Sequence, residues 1–315
     1  MGSASLAAPP GRRPLRASPI VIILVSLPLL LTLAEAVAWD RRNRSNGVII
    51  ADGIEREYLL HVPRSYDAGK PAPLVISLHA GAMWPAAQRD FSQWNELADQ
   101  EGIIVVYASG SGRTRTRFWN VNRGPGLLQD VRYIADLIDT LRANYNIDAE
   151  RIYANGLSNG AGMSFVLACT LADRIAAVGL VSAALTLPWE WCQERRPVPM
   201  IAFHGTADPI TPYNGGRSWL TDVPFRSVPA FVLAWARRNQ CTSERRSTAG
   251  HGTRLDYGGD GCRAPVTFYT IEGGGHTWPG GNPVPAWFAG PTPRDVDATR
   301  LMWEFFREQR LQRNR

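Results

Sequence analysis

The chain has 315 residues, of which 45% are hydrophobic and 20% are charged. This composition is typical of a globular protein with a sizeable core, and it excludes a chain too poor in apolar residues to fold. The formal net charge is +6, but no stripe of basic residues is interleaved with aromatic residues. We therefore expect no nucleic-acid partner.

The first 38 residues have the composition of a signal peptide. Basic residues precede an apolar stretch over 20–33, and small-residue cleavage motifs follow it: Arg12, Arg13 and Arg16, then Ala34-Glu35-Ala36 and Ala36-Val37-Ala38. An uncleaved anchor is the alternative, but the stretch is shorter than the roughly 20 residues of a membrane span, and Pro28 interrupts it. We expect a cleaved signal peptide over 1–38, a secreted or periplasmic protein, and membrane contact only through an uncleaved N-terminus.

The rest of the chain alternates strand and helix patterns. Strands are predicted over 48–51, 57–62, 74–78, 103–107, 151–155, 176–182, 200–204 and Val266–Ile271, and helices over 129–145, 158–171, Val228–Arg238 and 296–310. The runs over 74–78 and 103–107 are almost wholly apolar, which fits strands buried on both faces of a parallel sheet. The alternation predicts one α/β domain over 39–315, with a mostly parallel, doubly wound sheet flanked by helices.

Four cysteines follow the predicted signal peptide, and an even count in an oxidising compartment predicts disulfides. Proximity in sequence favours Cys169 with Cys192 and Cys241 with Cys262, although four cysteines allow three pairings. A metal site is not expected, because the chain has no C-x-x-C pair and no cluster of histidines.

The motif G-x-S-x-G lies between a predicted strand and a predicted helix, as Gly156-Leu157-Ser158-Asn159-Gly160. In that context the motif indicates a nucleophile elbow, where a serine occupies a strained turn that requires minimal side chains two positions away on either side. The serine also precedes a helix N-terminus, whose N–H groups and dipole favour a developing oxyanion. Ser158 is therefore the candidate nucleophile.

A serine hydroxyl is a weak nucleophile at neutral pH, so a base must take its proton. In elbow proteins the partners follow in the order serine, acid, histidine. Asp208 lies just beyond the predicted strand over 200–204, at the edge where a parallel sheet presents its ligands. Asp208 is the predicted acid, and Asp222 is the alternative.

Five histidines compete for the role of base. His61 and His204 lie within or at the end of predicted strands and are expected to be structural, and His79 precedes the serine. His276 follows the last predicted strand and three glycines, which would let its loop approach the serine closely. His276 is the predicted base, and His251 is the alternative.

An oxyanion hole needs two preorganised N–H donors. One is expected from Asn159, directly after the nucleophile, and the other from the loop that follows the strand over 74–78. In that loop Gly81 is the predicted donor, with Ala80 as the alternative.

These motifs together resemble the secreted esterases grouped as polyhydroxybutyrate depolymerases and feruloyl esterases. The resemblance covers roughly 48–306 and is carried by Leu78-His79, Asp130-Val131, Tyr145-Asn146-Ile147-Asp148, Gly156-Leu157-Ser158-Asn159-Gly160, His204-Gly205-Thr206-Ala207-Asp208 and Gly275-His276-Thr277-Trp278-Pro279-Gly280. Their joint occurrence in order is more specific than G-x-S-x-G alone. It implies an α/β-hydrolase fold, and it places the triad of the family on Ser158, Asp208 and His276.

The resemblance also implies a serine esterase that needs no cofactor. Its expected substrates are feruloyl or other acyl esters, free or linked to polysaccharide, or hydroxyalkanoate oligomers. The alternatives are a serine peptidase and a non-catalytic cell-surface binding protein on the same scaffold. Three tryptophans in loops, Trp119, Trp278 and Trp287, are expected to stack on a feruloyl ring or a sugar. One departure from the family is His79-Ala80 where the family usually has His-Gly, since an alanine keeps its N–H but lacks the conformational freedom of glycine.

Overall fold

A computed structural model of the chain describes residues 44–311, except 114, 115, 123, 219 and 221–223. The predicted signal peptide over 1–38 and the alternative acid Asp222 therefore lie outside the described residues. Residues from Ser45 onward form one compact unit.

The secondary structure follows the predicted alternation closely. The strands are β1 (Gly47–Ala51), β2 (Ile54–His61), β3 (Ala72–Leu78), β4 (Ile104–Ala108), β5 (Ser111–Arg113), β6 (Thr116–Phe118), β7 (Ile147–Leu157), β8 (Ala177–Val181), β9 (Met200–Gly205), β10 (Ser243–Ala249), β11 (Gly252–Gly258) and β12 (Val266–Ile271). The helices are α1 (Pro85–Ser92), α2 (Trp94–Glu101), α3 (Pro125–Asn144), α4 (Asn159–Thr170), α5 (Val228–Arg238), α6 (Ala286–Ala289) and α7 (Ala298–Phe306), with a 3₁₀ turn at Trp189–Trp191. The strands β10 and β11, the hairpin β5–β6 and the short helices α1, α2 and α6 were not predicted.

Ten strands form one twisted sheet in the order β1-β2-β4-β3-β7-β8-β9-β12-β11-β10. The six central strands, from β4 to β12, pair in parallel. Antiparallel pairs flank them, β1 and β2 on one side and β11 and β10 on the other. All six central strands therefore end at one edge of the sheet, which is where parallel sheets bind ligands.

Helices cover both faces of the sheet, as predicted for a doubly wound fold. On one face the apolar sides of α3, α4 and α5 pack against alternate residues of the strands, such as Leu74 and Ile76. On the other face α2 and α7 pack against the intervening residues, such as Val75. Because side chains alternate between the faces of a strand, the central strands are apolar throughout. The prediction of a mostly parallel α/β sheet with flanking helices is confirmed.

The predicted pairing of the cysteines is also confirmed. One disulfide joins Cys169, at the end of α4, to Cys192, which follows the 3₁₀ turn. The other joins Cys241 to Cys262 across the base of the β10–β11 hairpin. Among the residues that the structure describes, no helix is long and apolar enough to cross a membrane.

Candidate active site

Ser158 forms the sharp turn between β7 and α4. Its backbone has φ 56° and ψ −115°, a conformation that L-residues rarely adopt. The flanking glycines make this turn possible, because a Cβ at Gly156 would overlap the backbone of Gly160, and a Cβ at Gly160 would overlap the carbonyl oxygens of Leu78 and His79. The strand, the helix and the end of β3 therefore approach closely only without those side chains. This is the strained geometry expected of a nucleophile elbow.

Asp208 and His276 lie next to each other at the ends of two neighbouring strands. Asp208 follows β9 and His276 follows β12, and their side chains are both buried. His276 Nδ1 lies 2.8 Å from Asp208 Oδ2, which is the distance of a direct hydrogen bond. The glycines before His276 pack backbone to backbone against the end of β9 and against Ala289 and Gly290. They bring the loop against those segments, and the close approach of the loop to the serine stays a prediction.

The carboxylate of Asp208 is saturated with hydrogen bonds. Oδ1 accepts the backbone N–H groups of Ile210 and Thr211, each at 2.8 Å. Oδ2 lies 2.9 Å from the hydroxyl of Thr211 and 3.3 Å from Nε2 of His204, in addition to its bond with His276. Burial alone would raise the pKa of Asp208, but the charge and hydrogen bond of His276, followed by His204 and the amide of Thr211, hold that pKa below its usual value. The acid therefore stays ionised.

Thr211 connects this pair to the strand beside the serine. Its hydroxyl lies 3.2 Å from Nδ1 of His276 and 3.3 Å from the carbonyl oxygen of Ser182, the residue after β8. Ser158 N–H donates to the carbonyl of Val181, at the end of the same strand. The nucleophile candidate at the end of β7 and the Asp208–His276 pair at the ends of β9 and β12 thus lie on one edge of the sheet, with the end of β8 between them.

The loop after β3 lies directly beside the N-terminus of α4. A Cβ on Gly81 would be 3.5 Å from the Cβ of Asn159, so the two predicted oxyanion donors are neighbours. The N–H of Asn159 is in the first turn of α4, where backbone donors have no partner within the helix. Ala80 keeps a negative φ, so the position at which the chain departs from the family does not require glycine.

Comparisons with known proteins relate this chain to esterases. A family model described as esterase PHB depolymerase matches residues 57–187, a segment that contains the elbow and the loop after β3. Feruloyl esterase B of Piromyces equi is 31% identical over 236 residues, covering 70% of this chain and 42% of that protein. The probable feruloyl esterase C of Aspergillus terreus is 28% identical over 294 residues, covering 91% of this chain and 97% of that protein. The chain thus spans less than half of the Piromyces protein and almost all of the Aspergillus protein.

The chain belongs to the polyhydroxybutyrate depolymerase and feruloyl esterase family. Membership places it among the serine carboxylic ester hydrolases, the enzyme class that the sequence predicts. A solved structure of a ferulic acid esterase from Anaeromyces mucronatus, in complex with ferulic acid, superposes with a TM-score of 0.53 at 15% identity and covers 84% of this chain and 89% of that one. This likeness confirms the α/β-hydrolase fold.

Trp119 and His79 support the predicted oxyanion loop on the side that faces the core. The side chain of Asn159 bonds both the N–H and the carbonyl of Trp119, at 2.7 and 3.1 Å, and the indole N–H donates to the carbonyl of His79. The ring of His79 donates from Nδ1 to the carbonyl of Ala80 and accepts the N–H of Gly110 at Nε2. Since both nitrogens are satisfied by a neutral ring, burial lowers the pKa of His79 to about 4 without loss of a partner.

A buried ion pair fixes the segment that contains Trp119. Arg56 on β2 binds Asp130 on α3 at 2.8 Å, and Asp130 also accepts the backbone and side-chain N–H groups of Asn120, both at 2.8 Å. Asn120 directly follows Trp119, so the ion pair fixes the segment that Asn159 contacts. Neither Arg56 nor Asp130 was predicted as a site residue beyond the Asp130-Val131 motif, because their role depends on contacts between distant segments.

Two of the three predicted stacking tryptophans are in the core. Trp119 is 3% exposed and lies between the rings of His79 and Tyr133, and Trp278 is 1% exposed with its indole N–H bonded to Thr299. Neither ring offers a face to a ligand, so the prediction that they stack on substrate is corrected: they brace the oxyanion loop and the His276 loop. Trp287 is 87% exposed on α6, and its stacking on substrate stays a prediction.

The structure adds an aromatic residue that sequence reasoning missed. Phe118, at the end of β6, is 50% exposed, and its ring would lie 3.0 Å from a Cβ on Gly81. Phe118 therefore stands beside the oxyanion loop. Trp287 belongs to α6, and this helix contacts the His276 loop because the carbonyl of Ala289 accepts the N–H of His276. The alternative base His251 pairs with Asp295 at the exposed β10–β11 turn, away from Asp208.

Proposed function

We propose that this chain hydrolyses aromatic acyl esters, feruloyl esters in particular, through a triad of Ser158, His276 and Asp208. The observation that carries the proposal is the 2.8 Å bond between His276 and a fully hydrogen-bonded Asp208, at the same sheet edge as a serine held in an elbow and separated from it by the end of β8. In other serine hydrolases this combination of base and buried acid activates the serine hydroxyl.

The mechanism is acyl transfer in two steps. His276 Nε2 takes the proton of Ser158 as the hydroxyl oxygen attacks the ester carbonyl, and Asp208 stabilises the imidazolium through Nδ1–H. The N–H groups of Asn159 and Gly81 bind the oxyanion that forms. The C–O bond then breaks as His276 returns the proton to the leaving alcohol. Water, deprotonated by the same imidazole, hydrolyses the acyl-enzyme and regenerates Ser158.

The exposed aromatic rings support an aromatic acyl group as substrate. Phe118 beside the oxyanion loop and Trp287 beside the base are both accessible, and an acyl group bound to Ser158 would extend between these two sides of the site. Relatives named feruloyl esterases, and the solved neighbour that contains ferulic acid, point to the same chemistry. The two disulfides favour action in an oxidising compartment, consistent with export through the predicted signal peptide.

The test is hydrolysis of methyl ferulate, p-nitrophenyl acetate, acetylated xylan and hydroxybutyrate oligomers by the purified chain. We expect turnover of both simple esters and the highest kcat/KM for methyl ferulate. Ser158→Ala should reduce kcat on the order of 10⁴-fold or more. Ser164→Ala is the matched control. Ser164 is a buried serine in α4, the helix that begins directly after Ser158, and its hydroxyl bonds the carbonyl of Gly160. A Ser158→Ala variant as active as the control would contradict the proposal.

A further inference from the structure

A second buried histidine lies on the far side of the acid from His276. His204 is the penultimate residue of β9, and its side chain is 1% exposed. Its Nε2 lies 2.8 Å from the carbonyl oxygen of Thr211 and 3.3 Å from Oδ2 of Asp208. The sequence predicts only a structural role for this residue, and the triad mechanism does not use it.

The contacts of the ring determine its protonation. A carbonyl oxygen only accepts hydrogen bonds, so the nitrogen that faces Thr211 carries a proton. The other nitrogen, Nδ1, is buried and has no hydrogen-bond partner in the described structure. Burial also lowers the pKa of His204 below its usual value. His204 is therefore a neutral imidazole that presents a single N–H to the loop of the acid.

This N–H acts where the loop carrying Asp208 turns back towards the sheet. Besides His276, Asp208 receives donors from its own loop, namely the amides of Ile210 and Thr211 and the hydroxyl of Thr211. The three donors of the loop lie within it, although the hydroxyl of Thr211 also reaches the carbonyl of Ser182 at the end of β8. His204 joins the loop to β9. The residue belongs to that strand, and its N–H bonds the carbonyl of Thr211 and faces the carboxylate of Asp208.

We propose that His204 is a positioning residue, whose neutral N–H fixes the loop 205–211 and the carboxylate of Asp208 so that Oδ2 stays directed at His276. The proposal rests on the proposed triad. A charged imidazole in this place would compete with His276 for the negative charge of Asp208, whereas a neutral donor leaves that charge to the imidazolium that forms during catalysis.

The test compares His204→Gln with His204→Met. The two side chains are unbranched and similar in length, and only glutamine carries an N–H donor. We expect His204→Met to lower kcat on the order of 10- to 100-fold with little change in KM, because a small displacement of a catalytic group slows the chemical step more than it weakens binding. His204→Gln should recover most of that loss. The same order should hold for the rate at which diethyl p-nitrophenyl phosphate inactivates Ser158, which reports nucleophile activation without ester turnover.

His251→Met is the matched control, because His251 also contacts a carboxylate, Asp295 at 2.6 Å, but at the exposed β10–β11 turn. It should leave kcat unchanged, and thermal unfolding of each variant identifies any loss that comes from unfolding. Equal kcat in His204→Met and the parent would overturn the inference, as would equal losses in the Met and Gln variants, since the donor would then be irrelevant. A parent chain without esterase activity would instead contradict the proposed function.

Discussion

The two sides of Ser158 are built in different ways. On the side of β9 and β12, three polar side chains contact the carboxylate of Asp208 in the proposed acid–base group, and two of them, His204 and Thr211, come from the segment that carries Asp208. On the side of β3 and β4, the oxyanion loop depends on a network that passes through β2, the β5–β6 hairpin, α3 and α4. On the acid–base side the charged group is Asp208, which contacts the proposed base directly. On the oxyanion side the charged groups are Arg56 and Asp130, which form an ion pair behind the loop.

The difference predicts separate consequences for mutation. Changing the charge on the acid–base side removes a group that acts in the transition state, so activity should fall first. Changing the charge on the oxyanion side leaves a buried ion without its partner, so stability should fall first.

The largest effect is expected for Asp208→Asn, which keeps the shape of the acid and removes its charge. The amide cannot stabilise the imidazolium of His276 and can reverse its tautomer, so we expect kcat to fall on the order of 10⁴-fold. Steady-state kinetics on p-nitrophenyl acetate measures the loss. Asp295→Asn is the control, since that carboxylate pairs with the exposed His251. A loss below tenfold for Asp208→Asn would argue that another group serves as the acid.

Asp130→Asn should show the opposite balance. It leaves the guanidinium of Arg56 buried without a counter-charge, and we expect the free energy of unfolding to fall by about 3–5 kcal/mol. Molecules that remain folded should lose far less activity than Asp208→Asn does, because Asn120 and Trp119 retain their other contacts. Urea unfolding and kinetics at low temperature measure the two quantities. Asp136→Asn on the exposed face of α3 is the control. A variant as stable as the parent but inactive would remove the distinction between the two sides.

Lowering the pH should reduce the free energy of unfolding through His79, which packs on the oxyanion side. Its pKa lies at about 4 in the folded protein, below the ordinary value of 6.5, because burial disfavours the charged ring. Between these values the unfolded chain binds a proton that the folded chain does not, so stability is fully present above pH 6.5 and falls as the pH drops towards 4. The contribution amounts to about 3 kcal/mol. In His79→Gln this contribution is absent, so the stability difference between parent and variant should shrink by that amount from pH 7 to 4. A difference that does not change with pH would contradict the assignment.

The same contrast explains which parts of the molecule were predictable. Ser158, Asp208 and His276 are predicted by a short motif and by the chain order serine, acid, histidine that is typical of the α/β-hydrolase fold. The pairing of Arg56 with Asp130 joins residues 74 positions apart and has no local pattern, so the sequence does not indicate it. Strand β10 was missed for a related reason: almost all of its residues are exposed, and a strand without a buried face shows no alternation of apolar residues.

Burial likewise explains the misassigned tryptophans. A tryptophan in a predicted loop has the same sequence signal whether its ring faces solvent or braces the loop from inside. Trp119 is buried and Trp287 is exposed, because Trp119 packs between His79 and Tyr133. The exposed ring next to the site belongs instead to Phe118, one position earlier, on a three-residue strand too short to show a period.

Substrate selectivity should depend on that exposed ring and on Trp287. We expect Phe118→Ala and Trp287→Ala each to lower the ratio of kcat/KM for p-nitrophenyl ferulate to that for p-nitrophenyl acetate roughly 3- to 10-fold, the value of one aromatic contact. The two esters share a leaving group, so the ratio isolates the acyl side. Leu128→Ala, an exposed apolar residue on α3, is the control. An unchanged ratio in both variants would mean that the acyl ring binds elsewhere.

The smallest effects concern two alanines in the oxyanion loop, and they have opposite signs. Ala80 is buried and has a negative φ. Ala80→Gly removes a packed methyl group and raises the conformational entropy of the unfolded chain, so the free energy of unfolding should fall by about 1 kcal/mol. Ala82 has φ 58°, where alanine is strained, so Ala82→Gly should raise stability by about 0.5 kcal/mol. Both variants keep every backbone N–H, so kcat/KM should not change. Denaturant midpoints resolve the two shifts, and a stabilising Ala80→Gly would show that the loop does require glycine where its relatives have it.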